Sequence, residues 1–219
     1  MKTKEKILHT ALRLFNEQGT SEISSRNISD EMGISYGNLC YHFPKKSDII
    51  LALYRQMQDE VTELIQNIQR EIFRFDFMVR SLRELLHLLH KYRFVFIEHI
   101  QLARKFDSIK QESKRQFERR KDILREVSRF LLAQGYLRPE EIRGHHDMII
   151  HALLIVLNSW IPDGELFYNG KPEKIIDYYL ELYYSVFRAN LTPKGARAFD
   201  EVYNALALDF KRLQQDVMD

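Results

Sequence analysis

The chain has 219 residues, 45% of them hydrophobic and 29% charged, with a formal net charge of +2 and a pI near 8.5. This composition excludes a disordered chain and supplies one sizeable core or two modest ones, while so small a charge neither favours nor excludes a polyanionic partner. The single cysteine, Cys40, excludes an intrachain disulfide and a cysteine-rich metal site, and fits a reducing compartment. Eight glycines and five prolines punctuate the chain rarely, as in long helices rather than many short strands, so the expected class is all-α.

The first residues, "MKTKEKILHTALRLF", are basic but continue as a charged amphipathic pattern without an apolar signal region. No export is expected, and the protein reads as cytoplasmic. Ile7, Leu8, Ala11, Leu12 and Phe15 share one helical face, and Gly19 follows where a left-handed cap is often needed. Ser24 can cap a short helix running through Met32 to Gly33, and Ser35 a very short one over 36–43. Pro44 and Ser47 open a fourth, with apolar residues from Ile50 to Ile68 in three-four spacing. "IFRFDF" (72–77) alternates like a strand, but its length and position predict a turn packed by its phenylalanines.

Residues 79–89 and 92–106 read as two helices, 108–134 as a longer charged one ending at Gly135, and "YLRPEE" as the start of a helix over 139–161. The apolar run 148–157 is broken by His151 and is shorter than the roughly 20 residues that span a bilayer. It reads as a buried helix, and no membrane partner is expected. After Pro172, Ile175, Tyr179, Leu182 and Val186 form one apolar stripe, with Ile176, Leu180, Tyr183 and Phe187 beside it. A face that wide suggests burial against both its own domain and a second copy, hence a two-fold homodimer. A last helix begins near Pro193, with Phe199, Tyr203, Leu206, Phe210, Leu213 and Val217 on one face.

Function concentrates in "SSRNISDEMGISYGNLCYHF". Two short helices joined by a tight glycine turn, with Ile28, Met32, Ile34 and Leu39 facing inward and small Ser29 where they approach, have the spacing of a helix-turn-helix. A helix in the major groove needs side chains for base edges near its N-terminal end and others that grip phosphates. Tyr36 and Asn38 suit the first role, and Gly37 lets the backbone come close. Tyr41, His42 and Lys46 suit the second, and Arg26 can meet either a guanine edge or a phosphate. Ser24 and Ser35 place helix N-termini, with free amides, where phosphates could sit.

These residues also carry a resemblance. Residues 4–54 resemble the N-terminal domain of the TetR family of bacterial transcriptional regulators, whose Ile-Ala, Gly-Val-Ser, Gly-Thr-Leu-Tyr, His/Tyr-Phe and Lys pattern stands here as "IS", "GIS", "GNLC", "HF" and Lys46. Ser29 replaces the usual alanine, and Cys40 stands where the family often has a phosphate-contacting tyrosine, a contact Tyr41 could take over. The resemblance implies DNA contacts at Ser24, Arg26, Ser35, Tyr36, Asn38, Tyr41, His42 and Lys46. It also implies an all-α chain with a helix-turn-helix DNA-binding domain over 1–48 and a larger helical domain over 49–219 that dimerises through its last large helices and encloses a small-molecule pocket. The partners so implied are an operator in double-stranded DNA, a second copy, and an effector that shifts the two recognition helices out of register with major grooves about 34 Å apart.

Around Phe94, Phe96 and Tyr92, the histidines His87, His90 and His99 are candidates for pocket lining, or are simply hydrogen-bonded or exposed. Trp160, with Phe167 and Tyr168, is a further pocket candidate or part of a packed interface. Such a pocket would favour an aromatic or lipophilic effector. "GHHDMIIH" invites a metal reading, but 146 to 151 is the wrong spacing for two ligands on one helical face, so no metal and no cofactor are expected. "KQESKRQFERRKDILR" (110–125) reads as a solvated helix face. The rival classes are an all-helical enzyme, for which no paired Glu-x-x-His, phosphate loop or Gly-x-Ser-x-Gly is found, and a dimeric interaction protein without DNA contacts.

Overall fold

In the computed structural model, which describes residues 2–70 and 75–205 (backbone only at 68–70 and 75–79), the chain opens with α1 (Thr3–Glu22), α2 (Ser25–Glu31), α3 (Tyr36–His42) and the long α4 (Lys46–Arg70). Local chemistry accounts for these boundaries. The Glu5 carboxylate accepts from the Lys2 amide at 2.9 Å and starts α1. Ser24 Oγ accepts from the Asn27 amide and Ser35 Oγ from the Asn38 amide, each at 3.2 Å, so both serines cap the helices expected of them. Gly19, at φ 83° and ψ 161°, occupies backbone space open essentially to glycine and bends the end of α1, a sharper device than a left-handed cap. α4 begins at Lys46 rather than at Pro44, because the Asp48 carboxylate accepts from the Lys45 amide at 2.9 Å.

Seven further helices follow: α5 (Phe75–Lys91), α6 (Arg93–Ile97), α7 (His99–Lys105), α8 (Asp107–Ala133), α9 (His145–Phe167), α10 (Ile175–Arg188) and α11 (Pro193–Ala205), with a 3-10 turn (Pro172–Lys174) leading into α10. Residues 71–74 of the expected turn lie outside the described residues, but Phe75 to Phe77 are helical and open α5. The segment 92–106 is two helices, not one, broken at Glu98. α9 starts later than the proline at 139 suggested, since the Glu140 carboxylate accepts from the amides of Gly144 (3.2 Å) and His146 (2.7 Å) and caps the helix there. It also runs through Pro162 to Phe167. The expected apolar face at 206–217 lies outside the described residues.

The bundle packs α4 on α5, α8 on α9, α9 on α10, and both α10 and α11 on α5, while α6 meets α1 and α9 and α7 meets α8. One continuous apolar cluster runs from Ile7, Phe15, Ile28 and Leu39 in the first helices to Leu86, Phe94, Trp160, Leu180 and Phe199. α9 is the one helix among the described residues long and apolar enough to cross a membrane, yet Ile150, Leu153, Leu154, Leu157 and Trp160 are buried within the protein. Its other face, Met148, Ile155, Leu166 and Phe167, is exposed, as is Leu182 of α10.

Loop 135–138 is clasped to the start of α11. The Thr192 amide donates to the Tyr136 carbonyl at 2.8 Å, and a Cβ on Gly195 would stand 2.1 Å from that same carbonyl oxygen. Backbone atoms yield little, so Gly195→Ala is expected to cost about 1–3 kcal/mol of stability. The check is the urea midpoint, and an unchanged value would show that the clasp is slack.

Candidate nucleic-acid interface and effector cavity

α3 rests on the first-helix core through Leu39 and presents Tyr36, Gly37, Asn38 and Tyr41 to solvent. Tyr41 is the most open of the large side chains there, 84% exposed. The Arg26 guanidinium of α2 lies over the Tyr36 ring, 5.6 Å from its centroid, and joins the two helices' outer faces. The hydrogen bond between Cys40 and Tyr36 raises the phenol's pKa, so Tyr36 stays a neutral donor and acceptor at physiological pH. Cys40 is half-buried beneath it and Tyr41 stands outward, with its ring edge-on to that of His42 at 5.2 Å.

Ser24 and Ser35 are occupied as caps and act through the helix termini they set. Lys46 is less free than its sequence position suggests: Nζ donates to the carbonyls of Thr20 (2.7 Å) and Ile23 (2.9 Å). An ammonium has three donors, so one is left for a phosphate while two hold the α1–α2 loop to the start of α4.

Sequence reasoning missed the joint between this head and the rest of the bundle. Glu98, at the break between α6 and α7, accepts from the Thr20 amide at 2.6 Å and from the Thr20 hydroxyl. Asn16 donates to the Lys91 carbonyl (2.9 Å) and accepts from the Phe94 amide (3.1 Å). Phe15 packs on Phe94 at 5.5 Å. The clue lies in the pairing of residues almost eighty positions apart, which no local pattern reveals.

A cavity of about 170 Å³ lies among α4, α5, α8, α9, α10 and α11, its wall mostly apolar. None of the five residues expected in a pocket lines it. His87 is exposed. His90 stacks on Trp160 at 5.8 Å, and burial lowers its pKa. Phe94 belongs to the joint. His99 shares a 2.9 Å hydrogen bond with Ser113 of α8. Trp160 is buried in the core, one turn beyond Leu157, which does line the cavity. On α5 the cavity-facing residues are Ser81, Leu82 and Leu85, and His87 lies about 140° round the helix from Leu82. The segment 110–125 is likewise not wholly solvated: Arg120, Ile123 and Leu124 face the cavity, followed by Val127 and Ser128. Their spacing within a charged helix was the available signal.

In "GHHDMIIH", His146 Nε2 meets the Arg138 carbonyl at 2.9 Å and Asp147 pairs with Arg125. Among the described residues no group of three His, Cys, Asp or Glu side chains is placed to hold a metal ion.

Residues 56–199 match a family of bacterial transcriptional repressors, TetR, and residues 7–53 match bacterial regulatory proteins of the tetR family. The chain belongs to the TetR family. A TetR-family regulator from Marinobacter aquaeolei VT8 shares its fold with a TM-score of 0.76 at 20% identity, over 94% of this chain and 98% of that one. The SmeT–triclosan complex has the same fold, with a TM-score of 0.59 at 18% identity over 87% and 92% of the two chains. The HTH-type transcriptional regulator AcrR of Shigella flexneri is 36% identical over 62 residues, 28% of this chain and 29% of that protein. The matched stretches span about a quarter to a half of the lengths of the first curated relatives.

In this TetR-family chain, Thr20→Val removes the hydroxyl donor to Glu98 at nearly constant volume. It is expected to cost about 1–3 kcal/mol, read from denaturant unfolding; a loss near zero would mean the Thr20 amide alone holds the joint.

Proposed function

We propose that this chain is a homodimeric, effector-responsive repressor that binds a palindromic operator through residues 24–46 and leaves it when a small molecule fills the cavity. The observation that carries this reading is the exposed first turn of α3. Tyr36 and Asn38 stand in solvent with Gly37 between them, on a helix whose inner face is fully engaged. In this reading Tyr36 and Asn38 meet base edges, Tyr41, His42 and the remaining Lys46 donor meet phosphates, and Arg26 serves either. The reading head spans 1–48 and the effector and dimerisation unit 49–219. The protein works in the cytoplasm and catalyses nothing.

α4 is the physical link between the two units. Its first residue, Lys46, holds the α1–α2 loop, and Ile65 near its other end lines the cavity, about 28 Å away along the helix. A ligand that tilts α4 therefore moves the head, and the Thr20–Glu98 joint couples the same head to α6 and α7. The shift can be no larger than the ligand's preference for one arrangement. The apolar wall favours an aromatic or lipophilic effector, and the complex of the relative SmeT with triclosan is of that kind. The exposed apolar face of α9 and α10 supports dimerisation, since burying it against a second copy removes it from water.

The deciding experiment sequences genomic fragments retained by the purified protein beside Tyr36→Ala/Asn38→Ala at physiological salt. A palindromic motif retained by the wild type alone is expected, and its absence from the folded dimer would reject the operator reading. On that motif, Asn38→Ala should relax base preference by about 1–3 kcal/mol at its contact. Lys46→Ala should weaken all DNA and flatten the salt dependence. Equal effects of the two variants on specific and nonspecific DNA would sink the division of roles. Ile155→Glu/Leu182→Glu should yield monomers by light scattering, with operator affinity lost; an intact dimer would move the interface elsewhere.

A further inference from the structure

Most of the cavity wall is aliphatic or aromatic, yet one residue in it is a guanidinium. Arg120 of α8 lines the cavity, and its hydrogen bond within the described residues runs from Nε to the Gln116 carbonyl at 3.2 Å. Three other arginines of the surrounding helices have acid partners. Arg125 pairs with Asp147 and Asp122, Arg83 with Asp177, and Arg188 with Asp200. Arg120 forms no ion pair among the described residues, and the side chains that weigh on its charge are the phenols of Tyr183 and Tyr54. Burial presses the guanidinium toward its neutral form. Arginine does not deprotonate in that range, so the partly buried guanidinium keeps its charge beside apolar walls, where an anionic partner would be favoured.

The order of residues along the helices gives the cavity a direction. On α8 the lining runs from Arg120 through Ile123, Leu124 and Val127 to Ser128, about 12 Å of helix. On α10 it runs through Tyr183, Tyr184 and Phe187, and Asn190 follows just beyond the helix end. Tyr183 lies near Arg120, and burial holds its phenol protonated, so that it can donate. The guanidinium end is therefore Arg120 with Tyr183; apolar walls extend from it toward the hydrogen-bonding side chains of Ser128, His146 and Asn190, which also line the cavity. The volume, about 170 Å³, is close to the ~150 Å³ of an engineered apolar cavity that takes up benzene.

We propose that the effector is a small amphipathic anion, a monocarboxylate bearing one aromatic ring or a short alkyl chain, whose carboxylate is held by Arg120 with Tyr183 donating beside it. This rests on the reading of the cavity as the effector site and adds the charge and polarity of its occupant. Guanidinium and carboxylate match in geometry and form strong charge-assisted hydrogen bonds, so an anion gains far more here than a neutral molecule of the same shape.

The test is titration calorimetry on the full chain with two matched pairs, phenylacetate against phenylacetamide and octanoate against octanamide. The wild type is expected to bind at least one acid tenfold or more tighter than its amide. In Arg120→Gln that ratio should fall toward one, and in Arg120→Lys it should survive in part. Equal binding of acid and amide by the wild type would overturn the anionic assignment while leaving the effector cavity standing. So would an Arg120→Gln protein that weakens both equally, because that is a packing effect. Binding of neither member of either pair would overturn the cavity as an effector site of this class as well. Should Arg120→Gln fail to fold by circular dichroism, Tyr183→Phe supplies the contrast, with the acid expected to lose more affinity than the amide.

Discussion

The loop that carries α1 into α2 is held from two sides. Its donors at Thr20 are taken by the Glu98 carboxylate, and its acceptors at Thr20 and Ile23 by the Lys46 ammonium. One clamp comes from the break between α6 and α7, and the other from the first residue of α4. With its hydrogen-bonding groups engaged by both elements, the loop fixes α2, and α3 packed on it, against α4 and the α6–α7 break. Gly19 makes the arrangement sterically possible. Its positive φ turns the chain into the carboxylate, and Glu98 Oε1 lies 3.1 Å from where a Cβ would stand.

That double clamp has a counterpart at the other contact surface of the head. Asn16 uses both halves of its amide on backbone groups of the α5–α6 junction, and Tyr92 and Lys91 of that junction bond Glu60 of α4. Burial opposes ionisation of Glu60, but the donors from Lys91, Tyr92 and Gln56 outweigh it and lower its pKa. The α4–α5–α6 corner is thus a polar network in which each member has partners, the condition under which such networks hold one geometry. In the proposed function this corner would act as a lever, with α4 leaving it on one side and α1 to α3 docked on the other.

The parts of this molecule legible in the sequence are those written locally. Ser24, Gly33 and Ser35 announce α2, the turn and α3 because caps and turns depend on residues two or three positions away. The length of α8 was legible too, since its period runs unbroken to Gly135. The break at Glu98, by contrast, follows from a bond to Thr20 in a distant helix, and the late start of α9 from a carboxylate that substitutes for a helical turn. The cavity was misplaced for the same reason. Aromatic and histidine residues drew attention to 87–99, whereas the wall is largely leucines and isoleucines, with aromatic residues of α10 and α11, whose shared surface exists only once these helices are packed.

Arg120 shows why a charged helix face should be read position by position. Within 110–125 most charges are solvated or paired along the surface, and a solvated face accounts for them. Arg120 sits with Gln116, Ile123, Leu124 and Val127 on the inward side, where burial opposes its charge and no acid pairs with it among the described residues. In the proposed regulator such a position would be where an effector is recognised. A ligand shifts the balance between two arrangements only by the difference in its affinity for them. Under the proposal above, a guanidinium without an acid partner among the described residues would supply that difference, since the arrangement that lets an anion reach it is the one that ligand binding would populate.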